Sequence, residues 1–466
     1  MQRLNVIPYP NSVEFTGGTV EKEFLANNTK LDVTPGSMGD EAYRLEITPE
    51  GAAAFAATER GAFYAGKTLE QLLDGDEIPC CVIEDEPAFS YRGFMIDTVR
   101  HIVSIEDTKK LIDAAASVKM NAMHWHLSDD QGWRVQIDKR PLLCEKASVR
   151  KASMFGRERE EEEYGGFFTK DELKEIVEYA KERYIEVIPE IDVPGHTTAV
   201  LHAYPELGCK GEEVEVAVKQ GIYPTVLCAG NDESLQLVYD VIDEMVEIFP
   251  SQYFHIGGDE VPKTAWAACE KCRARKKENG LKSDDELQVW FANKVAEHLK
   301  EKGKTAVVWN DTIKGGKVDN ATVQFWMKGK KKTAKYANEG GRVIISDFFA
   351  YYTDYNYAIT PLKKTYNFNP YIKGLKDEGR KNTAGVETPT WTEYITNFDR
   401  FCYMAFPRCT AVAESGWTLP ENKDEEDFER RFEIYRKRLA GFGITPSDKE
   451  EWSVPFFKRF TQAKLY

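Results

Sequence analysis

Over residues 1–88, short apolar runs alternate with polar positions. Segments 4–7, 12–15, 43–47 and 79–83 carry the period of two that suits strands, and 62–73 carries helical spacing. From Tyr91 the pattern changes to apolar runs separated by amphipathic stretches. The runs are 94–97, 122–127, 186–191, 253–256, 306–309, 323–326, 343–346 and 383–387. Helix starts stand out between them, because Ser104 with Asp107, Thr169 with Glu172 and Ser283 with Glu286 have the spacing of capping boxes. A last long helix is expected over 424–442. Eight buried strands with helical connections predict an α/β fold. The expected order is a small α/β domain over 1–88, a (β/α)8 TIM barrel over 89–446 and a tail, 447–466, packed on the barrel.

The ends of these runs carry the chemistry. Asp97, Asp129, Asp192, Asp259, Glu260, Trp309, Trp326 and Glu387 stand where strands stop, and barrel enzymes place their sites at that end. The most informative stretch is His255-Ile256-Gly257-Gly258-Asp259-Glu260. A short buried strand ends, two glycines turn the chain, and two carboxylates follow with no Lys or Arg directly beside them. Crowded carboxylates raise each other's pKa, so one can stay protonated near neutral pH and act as a general acid on an acetal. An Asp-Glu pair alone is usually a surface accident; its position here reverses that reading.

Composition narrows the partners. The chain has 466 residues, 42% hydrophobic and 30% charged, with net charge −15 and pI near 5.2. Such acidity opposes binding to nucleic acid or anionic membranes through bulk electrostatics and suits a neutral substrate such as a sugar. Residues 1–5 contain no apolar signal core and no run reaches membrane-spanning length, so a cytoplasmic location is expected. The nine cysteines show no disulfide framework, which favours reduced thiols. Cys269-x-x-Cys272 has no second pair at zinc-finger spacing and reads as two thiols in a loop or at a helix start. His124 and His126 share one strand face, so a metal-dependent barrel hydrolase using them with Asp192 and His196 is a second reading. That pair lies below the strand tip, however, and neither a metal nor a cofactor is expected. Instead His196, Asp192 and Asp129 are expected to form a buried relay that tunes Glu260.

Five words in the chain share one source. They are 91–97 (YRGFMID), 124–134 (HWHLSDDQGWR), 191–196 (IDVPGH), 255–262 (HIGGDEVP), and 385–387 with 391–393 (GVE, WTE). Together, and in this order, they resemble the β-N-acetylhexosaminidases of glycoside hydrolase family 20. The resemblance implies a retaining exo-acting enzyme that releases terminal non-reducing N-acetylglucosamine, or N-acetylgalactosamine, from an oligosaccharide or glycoconjugate. In this family the substrate's own 2-acetamido oxygen attacks the anomeric carbon, an exception to the two-carboxylate scheme. By the same resemblance Glu260 is the general acid/base, and Asp259 orients the acetamido N–H and stabilises the oxazolinium ion. Tyr352, with Tyr351 as a rival, holds the acetamido carbonyl. Trp309, Trp326 and Trp391 box the sugar; Arg92 binds the 3- and 4-hydroxyls; Asp354 and Glu393 accept from the 4- and 6-hydroxyls. A homologue that binds carbohydrate without cleaving it is the remaining alternative.

Overall fold

The computed structural model describes residues 2–453. Residues 454–466, most of the expected tail, lie outside it; the described part ends in a short helix, Lys449–Trp452, whose Trp452 packs edge-on against Phe432.

The first domain is a five-stranded sheet of β1 (Ser12–Glu21), β2 (Thr29–Val33), β3 (Tyr43–Thr48), β4 (Gly51–Ala56) and β5 (Glu77–Asp85), ordered β1-β5-β3-β4-β2. Helix Glu59–Leu72 covers one face, and its N-cap Thr58 accepts the Gly61 N–H. In the run 4–7, Leu4, Val6 and Ile7 are buried as their apolarity requires, but the run is not a strand. Its backbone groups are met by a side chain instead: Gln71 accepts the Ile7 N–H at 2.8 Å and donates to the Ile7 carbonyl. Strands β2 and β4 have no sequence signature. β2 is almost wholly exposed, and β4 is mostly alanine.

The barrel follows at once, as β6 (Tyr91–Asp97), β7 (Ala122–His126), β8 (Glu186–Glu190), β9 (Tyr253–His255), β10 (Thr305–Trp309), β11 (Ala321–Phe325), β12 (Val343–Ile345) and β13 (Thr383–Thr390). Each strand is parallel to the next and β13 closes on β6. Tyr91, Ala122, Ile188, Val307, Ile344 and Ala384 plug the end where the strands start. Ser104, Thr169 and Ser283 all accept the backbone N–H expected of an N-cap. Among the described residues no helix is long and apolar enough to cross a membrane.

Above the apolar plug the interior is polar. Glu190 meets His124 Nε2 at 3.1 Å, His255 Nδ1 at 2.8 Å, the Trp309 indole N–H at 2.9 Å, and His126 Nδ1. Glu387 meets His124 Nδ1 at 3.0 Å and accepts from Tyr91 and Gln324. Buried carboxylates are tolerated only when paired in this way. The His124-x-His126 face is therefore committed to carboxylates: both ring nitrogens of each imidazole already have an acidic neighbour, since His126 Nε2 lies 2.9 Å from Asp129. The pair belongs to the polar floor under the site.

Candidate active site

β9 is only three residues long, and the turn after it explains the two glycines. Gly257 and Gly258 have φ of +61° and +90°, a region that disfavours side chains. A Cβ on Gly257 would lie 1.9 Å from Asp192 Oδ1, and one on Gly258 would lie 2.3 Å from Thr312 Oγ1. The space is filled by a contact, in which the Gly258 N–H donates to Asp192 Oδ1 at 2.8 Å. Glu260 itself has φ +47°, an unusual conformation for a residue with a side chain. The chain is bent there so that both acids face one cavity.

That cavity, about 320 Å³, is lined by Arg100, Asp129, His196, Asp259, Glu260, Trp326, Tyr352, Asp354, Trp391 and Glu393, with Gln220–Ile222 and Tyr394 at its edge. Burial raises the Asp259 pKa to about 6, with Glu260 adding repulsion and His196 opposing. Its Oδ1 is buried and has no hydrogen-bond partner among the described residues. Burial also raises Glu260, helped by Asp311 and Asp129 and opposed by His196. Asp192 is pushed well up, first by burial and then by the neighbouring Asp259.

His196 links these groups. Its Nδ1 lies 3.1 Å from both Asp129 and Asp130, and its Nε2 lies 3.9 Å from Asp259 and from Glu260. Burial opposes its charge, but Asp129 and Asp130 outweigh burial and raise its pKa well above the usual range. The His196 ring, with its charged form favoured, therefore sits equidistant from the two acids.

Aromatic rings form the walls. Trp326 stacks on Tyr352 with centroids 6.3 Å apart, Tyr352 and Trp391 are 6.4 Å apart, and Trp391 and Trp309 are 6.2 Å apart. Trp309 is 1% exposed, beneath the cavity wall, and is fixed by Glu190. The two rival tyrosines differ in position. Tyr352 lines the cavity, whereas Tyr351 packs against Phe368 and faces Ser415.

Arg92 requires a correction. It sits at the start of β6, at the closed end of the barrel, 1% exposed. Its guanidinium donates to Glu41 of the small domain at 2.8 Å and to the carbonyls of Phe89 and Lys119. It reaches no part of the cavity, because the strand's direction carries that side chain to the wrong end. The guanidinium in the cavity is that of Arg100, just past the end of β6. It is held by Asp129 at 2.7 Å, Asp97 at 3.2 Å and Gln131 at 2.8 Å, lies 5.0 Å from the Trp391 ring centre, and points toward Glu393 at 3.7 Å. Barrel polarity alone would have singled it out. Asp354 and Glu393 face the same space, each carboxyl raised by burial, with mutual repulsion contributing at Asp354.

Known proteins share this arrangement of sequence and fold. Residues 89–420 match the model of the glycosyl hydrolase family 20 catalytic domain, and residues 21–86 match that of its domain 2. A beta-hexosaminidase of Porphyromonas gingivalis is 39% identical over 455 residues; the match covers 91% of this chain, which spans 57% of that relative's length. A crystal structure of a beta-N-acetylhexosaminidase superposes with TM-score 0.88 at 31% identity, covering 98% of this chain and 99% of the other. An exo beta-N-acetylglucosaminidase of Vibrio harveyi, in complex with N-acetylglucosamine, superposes with TM-score 0.84 at 29% identity, covering 97% and 80%. With a catalytic-domain match running through most of its length, over a barrel that brings Asp259 and Glu260 into one aromatic cavity, this chain belongs to glycosyl hydrolase family 20.

Proposed function

We propose that the protein is a retaining exo-β-N-acetylhexosaminidase in which the substrate supplies its own nucleophile. The observation that carries this reading is Asp259 Oδ1, a buried acceptor with no hydrogen-bond partner among the described residues, beside a raised Glu260 carboxyl. A buried unpaired acceptor is costly unless a ligand completes it, and an amide N–H is the matching donor. Glu260 protonates the departing glycosidic oxygen. As that bond breaks, the acetamido carbonyl oxygen closes on the anomeric carbon. Asp259 holds the N–H and stabilises the positive charge that develops, in a cavity where such a contact is strong. Tyr352 holds the carbonyl oxygen, and Trp326 and Trp391 pack against the sugar's C–H face. Water then opens the oxazoline with Glu260 as base, so the configuration is retained. Arg100, rather than Arg92, supplies the fork of donors that suits vicinal hydroxyls, with Asp354 and Glu393 as acceptors.

A panel of 4-nitrophenyl glycosides tests this. The β-N-acetylglucosaminide should be cleaved, and the β-glucoside should not, because it lacks the attacking atom. Glu260→Gln should lose at least ~10²-fold in turnover on a poor leaving group. Comparable rates on the acetamido sugar and the glucoside would defeat the proposal.

A further inference from the structure

Four cysteines distant in sequence meet outside the catalytic cavity, where the loops after β8 and β9 touch. Cys209 follows the 3-10 turn Pro205–Leu207, Cys228 lies shortly before helix Asp232–Ile248, and Cys269 and Cys272 stand at the start of helix Glu270–Glu278. Sequence spacing hides the set, because the pair Cys269-x-x-Cys272 has no matching pair; the fold supplies two single cysteines from the preceding loop. The sulfurs of Cys209 and Cys272 are 3.8 Å apart, those of Cys228 and Cys269 3.8 Å, and those of Cys228 and Cys272 3.6 Å. All four lie within 4.8 Å of one another.

These distances discriminate between chemistries. A disulfide would bring two sulfurs to about 2.05 Å, and all four thiols are free. A tetrahedron with zinc–sulfur bonds of about 2.3 Å has edges of about 3.8 Å, and three of the six sulfur pairs stand at 3.6 to 3.8 Å, with all six within 4.8 Å. Ligands of an iron–sulfur cluster bind separate irons and stand farther apart. The backbone around the set is built for close approach. A side chain on Gly230 would come within 2.2 Å of the Lys271 carbonyl carbon and 2.4 Å of the Cys272 nitrogen. The two loops are also cross-tied, since the Trp266 indole N–H donates to the Leu227 carbonyl at 2.9 Å. Cys228, Cys269 and Cys272 are buried. Lys210, Lys271 and Arg273 flank the cysteines in sequence, a suitable setting for a centre that would carry two negative charges.

We propose that Cys209, Cys228, Cys269 and Cys272 bind one zinc ion in a closed, structural site that ties the 192–231 loop to the segment carrying Asp259 and Glu260. Four thiolates leave no open position for water or substrate, so the ion takes no part in the hydrolysis. Its effect is mechanical, because the tied loop also carries His196 and Ile222 to the cavity.

The test uses the full chain, purified under reducing conditions without chelators, and does not depend on glycosidase activity. Elemental analysis should find one zinc per chain, released stoichiometrically when a mercurial reagent titrates the thiols. Cobalt added to the apoprotein should give the sulfur-to-metal charge-transfer bands and strong visible absorption of a tetrahedral thiolate centre. Cys228→Ser and Cys272→Ser should lose zinc, while Cys144→Ser, outside the cluster, should keep it. Removal of the ion should lower the melting temperature. If the serine variants do not fold, the cobalt spectrum of the unaltered chain decides alone. Failure of the reduced apoprotein to bind zinc or cobalt overturns the proposal, as does a denatured thiol count four below the nine in the sequence, or iron as the resident metal.

Discussion

At the residue scale the site depends on two carboxyls in opposite protonation states. Hydrolysis as proposed needs Asp259 ionised and Glu260 protonated. Burial raises both, Asp259 to about 6. Lowering the pH through that value protonates Asp259 and removes the anion that stabilises the oxazolinium. Raising it past the Glu260 pKa removes the proton needed by the leaving group. The profile of kcat/KM should be bell-shaped with its acid limb near pH 6. Because His196 couples the two acids, the limbs belong to the group as a whole. Asp259→Asn should lower the rate and flatten the acid limb; an acid limb of unchanged position in that variant would show that another group controls it. The acids themselves were legible in the sequence, since two glycines and a strand end flag them. Arg92 stands at the start of β6 and Arg100 just past its end, so strand polarity decides which guanidinium reaches the cavity. The Asp192–Asp259 contact and the His196 bridge are readable in sequence only as a list of polar residues, because pairing depends on distances that spacing does not encode.

At the level of elements, the turn after β9 carries the precision of the site. Gly257 has no room for a methyl group because Asp192 occupies it, and Asp192 is the neighbour that steadies Asp259. Gly257→Ala must strain a left-handed backbone, at about 1–2 kcal/mol, and must also displace the Asp192 carboxyl. Misplacing a catalytic group by about 1 Å can cost ~10²-fold in rate, so kcat/KM should fall by that order. Gly66→Ala is the control, since it lies inside helix Glu59–Leu72 with open space around its Cβ; it should keep full activity and gain up to ~1 kcal/mol of stability. Equal kinetics for the two variants would show that the turn tolerates a side chain. The eight barrel strands were legible because both faces of each are largely buried and each reads as an apolar run. β2 and β4 were not, because an exposed strand and an alanine-rich one leave no periodic trace. The run 4–7 misled in the opposite sense, since burial satisfied by Gln71 imitates a strand's hydrophobicity without its ladder.

For the molecule as a whole, the question is how the small domain serves a site at the far end of the barrel. The two domains are joined by buried charge. Lys119, just before β7 and 1% exposed, lies 3.1 Å from Asp85 of β5 and donates to the Tyr43 hydroxyl at 2.8 Å. The Trp417 indole N–H completes Asp85 at 2.9 Å, and Arg92 bonds Glu41 nearby. All of these sit at the closed end, opposite the cavity. Lys119→Met removes one partner and leaves Asp85 buried beside a methyl thioether. Breaking a buried pair in this way costs about 3–5 kcal/mol, and the loss falls on both domains, since Asp85 and Lys119 belong to different ones. The expected result is a lower melting temperature in a single calorimetric transition, with kcat and KM for the aryl glycoside unchanged at temperatures where the chain is folded. Two separated transitions in the variant would mean that the domains fold independently. A changed KM would mean that the closed end is coupled to the cavity through the Glu190–Glu387 floor, which the fixed hydrogen bonding of that floor argues against.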